Sequence, residues 1–109
     1  MYLVISVIEN TAIIPKLMSE LQDNGICGAT VIDSYGMGRI LSRSHKDISK
    51  KDIISYVLAE NRPTNRTVFV VVEKEIVQKA IDIFKEVVGD FSSPRTGILF
   101  TLKLDQVFK

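Results

Sequence analysis

The chain has 109 residues, 46% of them hydrophobic and 25% charged, with one Cys, no Trp and a net charge of +1. That length allows one domain with one ordinary core, burying about two-thirds of the unfolded surface; the hydrophobicity excludes a disordered chain, and the lone Cys27 excludes a disulfide scaffold and suits a reducing, cytoplasmic compartment. No apolar run approaches the ~20 residues of a membrane helix, the N-terminus has no basic region before its apolar stretch and so is not read as a secretory signal, and the near-neutral charge gives no whole-chain reason to expect nucleic acid or insertion into a membrane.

Tyr2-Leu-Val-Ile-Ser-Val-Ile8 is almost wholly apolar and β-branched, which predicts a central strand. Asn10-Thr11 then offers a helix cap, Pro15 falls in the first turn where a missing N–H costs little, and Ile14, Leu17, Met18 and Leu21 make a stripe at helical spacing. Asn24-Gly25 ends that helix. Ala29 to Tyr35 predicts a second strand, broken by Gly36-Met-Gly38. Thr67 to Val72 predicts a third strand, Glu75 to Val88 a second amphipathic helix, and Gly97 to Leu102 a last strand.

Strand-helix-strand followed by strand-helix-strand is the split βαβ order, so the expected fold is α+β and ferredoxin-like (βαββαβ), one domain over 1–109 with a four-stranded antiparallel sheet. Both helices cover one face of such a sheet. The strands are too apolar on both sides to leave the other face wet, which predicts self-association through it.

Residues 36–66 join the halves by a connection far longer than usual. Within it, Ser49-Lys-Lys-Asp52 reads as a helix-start cap, and Ile53, Ile54, Val57 and Leu58 predict a short amphipathic helix ending before Arg62-Pro63. That stripe either covers the subunit's own core or presents a face to a partner. The connection also carries seven Lys/Arg against three acids, a net +4, whereas the remainder holds seven bases against ten acids, a net −3. The basic segment is either a solvated surface or docks an acidic partner or an anionic ligand.

Four stretches, Gly25-Ile-Cys-Gly-Ala-Thr-Val31, Tyr35-Gly-Met-Gly-Arg39, Val70-Val-Val-Glu-Lys-Glu-Ile-Val77 and Gly97-Ile-Leu-Phe100, resemble the PII nitrogen-regulatory proteins in order and spacing. Gly28-x-Thr30 followed by Gly36-x-Gly38-Arg39 is the most specific part. The resemblance implies a homotrimeric signal-transduction protein, clefts between subunits that take ATP, ADP or another small adenine nucleotide, and a long loop that touches a membrane transporter or a metabolic enzyme. Residue by residue it implies Gly28 and Thr30 from one subunit, Gly36, Gly38 and Arg39 from its neighbour, wall contacts from Ile8 and Val71, and Gly97 in the phosphate-side loop. Arg43, Lys46, Lys50 and Lys51 are the expected partner-binding cations of the loop. Glycines let backbone approach phosphate closely, and Arg39 offers a forked donor.

The chain also departs from the family pattern. Ile40-Leu41 stands in place of Gln-Lys, Phe69 in place of an acidic residue, and Arg95-Thr96-Gly97-Ile98 in place of Gly-Asp-Gly-Lys. Lys109 stands for the two C-terminal arginines, and Arg95 takes the place of one lost cation. A triphosphate needs several such groups, so the ligand is expected to be a small anion, an adenine nucleotide among the candidates.

Other readings remain open at the level of sequence. One is a trimeric divalent-cation-binding protein like CutA, although His45, the only His, has no companions with ligand spacing. Another is a small ferredoxin-like enzyme such as an acylphosphatase, although Ile8-Glu9-Asn10-Thr11 holds no Arg and no Gly-rich cradle, and Ser42, Ser44 and Ser49 have no paired base; no catalytic residue is assigned. RNA binding needs exposed aromatics on two central strands, of which only Phe69 is offered. Cys27, between helix and strand, is expected to be packed and inert.

Overall fold

The structure, a computed structural model, describes residues 1–41 and 49–109. Strand β1 (Tyr2–Ile8) lies at the centre, pairing antiparallel with β3 (Asn65–Val72) on one side and β4 (Gly97–Lys103) on the other. Strand β2 (Thr30–Ser34) adds to the outer edge of β3, giving the order β2-β3-β1-β4. Helices α1 (Ile14–Asp23) and α4 (Val77–Val88) each follow a strand and cover the same face of the sheet. This is the expected α+β, ferredoxin-like βαββαβ arrangement. Between sheet and helices lies the main core, in which Val4, Ile8, Val68 and Val70 meet Leu17, Leu21, Ala80 and Phe84.

Element boundaries follow from pairing more than from composition. β1 spans the predicted residues. β2 is one residue shorter at each end than predicted, because its last ladder partner is Ser34 opposite Asn65 and its first is Thr30 opposite Phe69. β3 begins two residues earlier than predicted, since Asn65 and Arg66 find partners in Ser34 and Asp33. The Arg66 Nε–Asp33 Oδ1 ion pair (3.1 Å) marks that register but contributes little in its exposed setting. Asn10 Oδ1 accepts from the Ala12 N–H (3.2 Å) and caps a 3-10 turn at Thr11–Ile13, after which α1 runs on with Pro15 in its first turn. Ile26 N–H closes the helix end onto the Leu21 carbonyl (2.9 Å) across the left-handed Gly25. A 3-10 turn, Lys74–Ile76, likewise precedes α4, which begins two residues later than predicted.

The connection between the halves carries two helices, α2 (Met37–Leu41) and α3 (Lys50–Ala59). The second is the predicted one. Ser49 Oγ accepts from the Asp52 N–H (3.2 Å) and donates to Asp52 Oδ2 (2.8 Å), the capping pattern read from the sequence. The first was not predicted: β2 is broken at Gly36-Met-Gly38 as expected, but a helical turn follows, in which the Ile40 N–H reaches the Gly36 carbonyl (3.0 Å) and Ile40 is buried against Ile53 and Val57, with Tyr35 and Ile54 at the margin. Packing thus overrides the low helix propensity of the glycines. The apolar stripe of α3 covers this second small core and not the sheet, and Leu58 falls outside it, 46% exposed. The molecule measures 52 × 28 × 22 Å with a radius of gyration of 16.0 Å, against about 13 Å for a compact chain of this length.

The face of the sheet away from the helices is apolar. Leu3, Ile5 and Val7 of β1 lie in register with Phe69 and Val71 of β3 and with Ile98, Phe100 and Leu102 of β4. Ile98, Phe100 and Leu102 are exposed in the isolated chain. Cys27 is also exposed, correcting the expectation of a packed thiol: of the α1–β2 loop Ile26 is buried in the core and Ala29 packs against it, while Cys27 faces out. Among the described residues no helix is long and apolar enough to cross a membrane.

Candidate functional site

The antiparallel order brings four chain segments to one end of the sheet. β1 leaves there at Glu9 and β2 leaves at Tyr35-Gly36, while β3 enters at Asn65 and β4 at Gly97. Between these segments lies a cavity of about 680 Å³ lined by Glu9, Gly36, Gly38, Arg39 and Arg95. That volume is in the range of small-molecule sites.

Each lining residue is placed by an identifiable local cause. Gly36 donates its N–H to Thr64 Oγ1 (2.9 Å), and Thr64 in turn donates its N–H to the Ser34 carbonyl (3.1 Å), so the exit of β2 is tied to the entry of β3. A Cβ on Gly36 would lie 2.7 Å from Asn65 Nδ2, so the crossing tolerates only glycine without a shift. Asn65 itself is buried, and its Oδ1 has no hydrogen-bond partner among the described residues. Arg39 follows on α2, where the burial of its neighbour Ile40 in the small core holds the helix in place.

Arg95 arrives on the loop after α4 in a left-handed backbone conformation (φ +64°). That loop is organised by Asp90, whose Oδ1 accepts from Ser92 Oγ (2.7 Å) and the Ser92 N–H (2.9 Å). Those bonds, the side-chain one first, hold the Asp90 carboxyl below its ordinary pKa. Gly97 then lets β4 pass hard against β1 beside Ile8. Among the described residues, Arg39, Arg95 and Glu9 are the charged ones that line the cavity.

The structure brings together some of the expected residues and separates others. Gly36, Gly38, Arg39 and Arg95 line one cavity, and Gly97, two residues along the chain from Arg95, is paired with Ile8 at the same end of the sheet. Gly28 lies elsewhere, on a hollow of about 200 Å³ beside Cys27 and Ala29. Lys109 lines a third hollow, of about 160 Å³, with Val71 and Glu73 at the far end of β3. Thr30 opens β2 opposite Phe69, four residues or about 13 Å along the strand from Ser34. Ile8, expected as a wall of the cleft, has its side chain fully buried in the main core. Lys50 and Lys51 are exposed at the start of α3, whereas Arg43, Lys46 and His45 lie outside the described residues. Among the described residues no group of three or more His, Cys, Asp or Glu is placed to hold a metal ion.

Glu9 is the lining residue that sequence reasoning missed. Its signal was positional: it follows the last residue of β1, opposite the strand entry that delivers Arg95.

Comparison with known proteins agrees with this architecture. Residues 1–109 match the model of the family described as nitrogen regulatory protein P-II. Among solved structures, the chain is similar to PII from Arabidopsis thaliana, described as bound to citrate, with a TM-score of 0.63 and 21% identity over 94% of this chain and 76% of that one. No curated protein sequence matches it. With the split βαβ sheet, the long connection after the second strand and a family match over all 109 residues, the chain belongs to the nitrogen regulatory protein P-II family.

Proposed function

We propose that this protein is a regulatory binding module, a cytoplasmic homotrimer that senses a small anionic metabolite in clefts between subunits and controls a partner through residues 36–66. The observation that carries the reading is the cavity that Arg39 and Arg95 line together with Gly36 and Gly38. Guanidiniums pair with phosphate or carboxylate through forked hydrogen bonds, and glycines leave backbone N–H groups approachable. The adenine nucleotides ATP and ADP are candidates through family membership. Citrate joins them because the Arabidopsis relative is described as bound to it.

Two further features support the assembly. The helix-free face of the sheet is apolar and exposed in one chain, a surface suited to copies of itself. Gly28, Thr30 and Lys109 stand away from the Arg39–Arg95 cavity within one chain, as two halves of a cleft shared between subunits would. The connection starts at the cavity, since α2 carries Arg39, and it presents Lys50 and Lys51 to solvent beyond it. A transporter or a metabolic enzyme with an acidic docking surface fits that loop. The reading assigns binding and regulation, and no catalytic step.

Thermal shift with ATP, ADP, AMP, citrate and phosphate tests the site. A ligand at 100 times its Kd stabilises the folded state by about 2.7 kcal/mol. Arg39→Ala is expected to weaken that ligand by roughly 10- to 100-fold, the worth of a charge-assisted hydrogen bond, while light scattering shows an unchanged mass. Equal melting shifts in both proteins would remove Arg39 from the site.

A further inference from the structure

Among the described residues, only Asn61 and Arg95 carry a side chain on a left-handed backbone, at φ +52° and +64°. Asparagine enters this region readily, because its short side chain bonds to nearby backbone; a long arginine has no such means. The conformation therefore costs stability at Arg95, and the residue is exposed, so burial does not offset it. Its cause lies at the two ends of the loop. On one side Asp90 closes a turn on itself: its Oδ1 accepts from Ser92 Oγ and the Ser92 N–H, and its backbone carbonyl accepts from the Ser93 N–H (3.0 Å). On the other side Gly97 opens β4, fixed opposite Ile8. Only Pro94, Arg95 and Thr96 join these anchors. The proline ring forbids a positive φ, and the β-branched Thr96 disfavours one, so the left-handed residue is Arg95.

We infer that Asp90 is a positioning residue of the anion site: its turn holds the left-handed backbone of Arg95 and so fixes the guanidinium where the cavity is lined. The inference rests on the anion-binding reading of the cavity and adds to it a residue that is not among the described lining residues. A glycine at position 95 would adopt the same backbone freely, so the loop keeps an arginine there against local preference. The arrangement is preorganisation. The turn is set before a ligand arrives, and binding does not have to order the loop. Two roles for Asp90 predict opposite signs. As a charge, a carboxylate opposes an anion, so its removal would tighten binding. As the anchor of the turn, its removal frees the backbone of Arg95 and weakens binding.

The test is calorimetric titration of ADP and of citrate into the full chain, Asp90→Ala, Asp90→Asn, Arg95→Gly and the Asp90→Ala/Arg95→Gly double variant, with thermal melting of each. Asp90→Ala is expected to weaken the bound probe about ten-fold, the entropy of fixing one residue's backbone on binding. Asp90→Asn keeps an accepting Oδ1 and is expected to stay within about two-fold of the parent. Arg95→Gly relieves the backbone and is expected to melt no lower than the parent while weakening the probe roughly 10- to 100-fold. In the Arg95→Gly background, Asp90→Ala is expected to change affinity no further, because it acts through Arg95. Unchanged or tighter binding by Asp90→Ala, an Asp90→Asn as weak as Asp90→Ala, or an equal loss with and without Arg95 overturns the positioning role and leaves the anion site standing. Binding indifferent to Arg95→Gly removes Arg95 from the site and this inference with it. Absence of binding of both probes to the parent overturns the reading of the cavity as their site, and this inference too.

Discussion

Gly97→Ala is expected to destabilise the protein by about 3–5 kcal/mol, the upper end of single-residue effects, and to lower its melting temperature by roughly 15–30 °C. Gly97 adopts φ +127°, a conformation that side-chain-bearing residues rarely enter, and a Cβ there would stand 1.9 Å from the Val7 carbonyl oxygen and 3.3 Å from Ile8 Cα. The obstruction is backbone on the central strand and not the tip of a flexible side chain, so β4 must separate from β1 to relieve it. Because Ile8 and Gly97 are paired at the cavity end of the sheet, the same shift displaces Arg95 from the site. Gly38→Ala is the matched control. No atom lies within 4 Å of the added Cβ, the residue is helical, and alanine there is expected to be neutral or to stabilise by up to ~1 kcal/mol. Calorimetric melting of the two variants checks the pair; a Gly97→Ala protein melting within a few degrees of the parent would contradict the close approach of β4 to β1.

Ile5→Asp is expected to convert the proposed trimer, three copies of 12.2 kDa, into a 12.2 kDa monomer in light scattering. Ile5 occupies the middle of the helix-free face, in register with Phe69 on one side and Phe100 on the other. Covering that face with another copy buries the position, and an unpaired carboxylate there loses its water with nothing in exchange. The isolated fold should survive, since Ile5 points away from the core of Val4, Ile8, Val68, Val70 and Phe84. Tyr56→Asp, on the exposed side of α3, is expected to leave the mass unchanged. A parent protein that runs at 12.2 kDa would show that this face is not closed by copies of the chain, and a trimeric Ile5→Asp would move the interface elsewhere.

The architecture was legible in the sequence where the signal is local and repeated. The β-branched run of Tyr2–Ile8 became the central strand at the expected residues, and the Ser49–Asp52 cap started α3 where it was read. Such signals work because a central strand, apolar on both faces, and a helix start each impose their demand within a few neighbouring positions. Helix α2 was not legible in this way. Its five residues include Gly38 and follow Gly36, and they are helical because Ile40 meets Ile53 and Val57, thirteen or more residues further on. A helix of that length has too little cooperativity of its own. Cys27 likewise reads as one of several apolar positions, and only the path of the α1–β2 loop decides that Ile26 enters the core and Cys27 does not.

The candidate site divides along the same line. Gly36, Gly38 and Arg39 are adjacent in sequence and were visible as a motif, and Arg95 was visible as a cation in the loop before Gly97. That these residues line one cavity, and that Glu9 joins them, depends on which strand ends meet. The chain's own order of apolar runs, caps and breaks determined a ferredoxin-like sheet with one apolar face left over and one long basic connection. Tertiary structure alone decided which residues share the site. Antiparallel pairing sets Ile8 opposite Gly97 and so brings Glu9 to the cavity that Arg39 and Arg95 also line, across 30 and 86 positions of chain along which no local pattern links them.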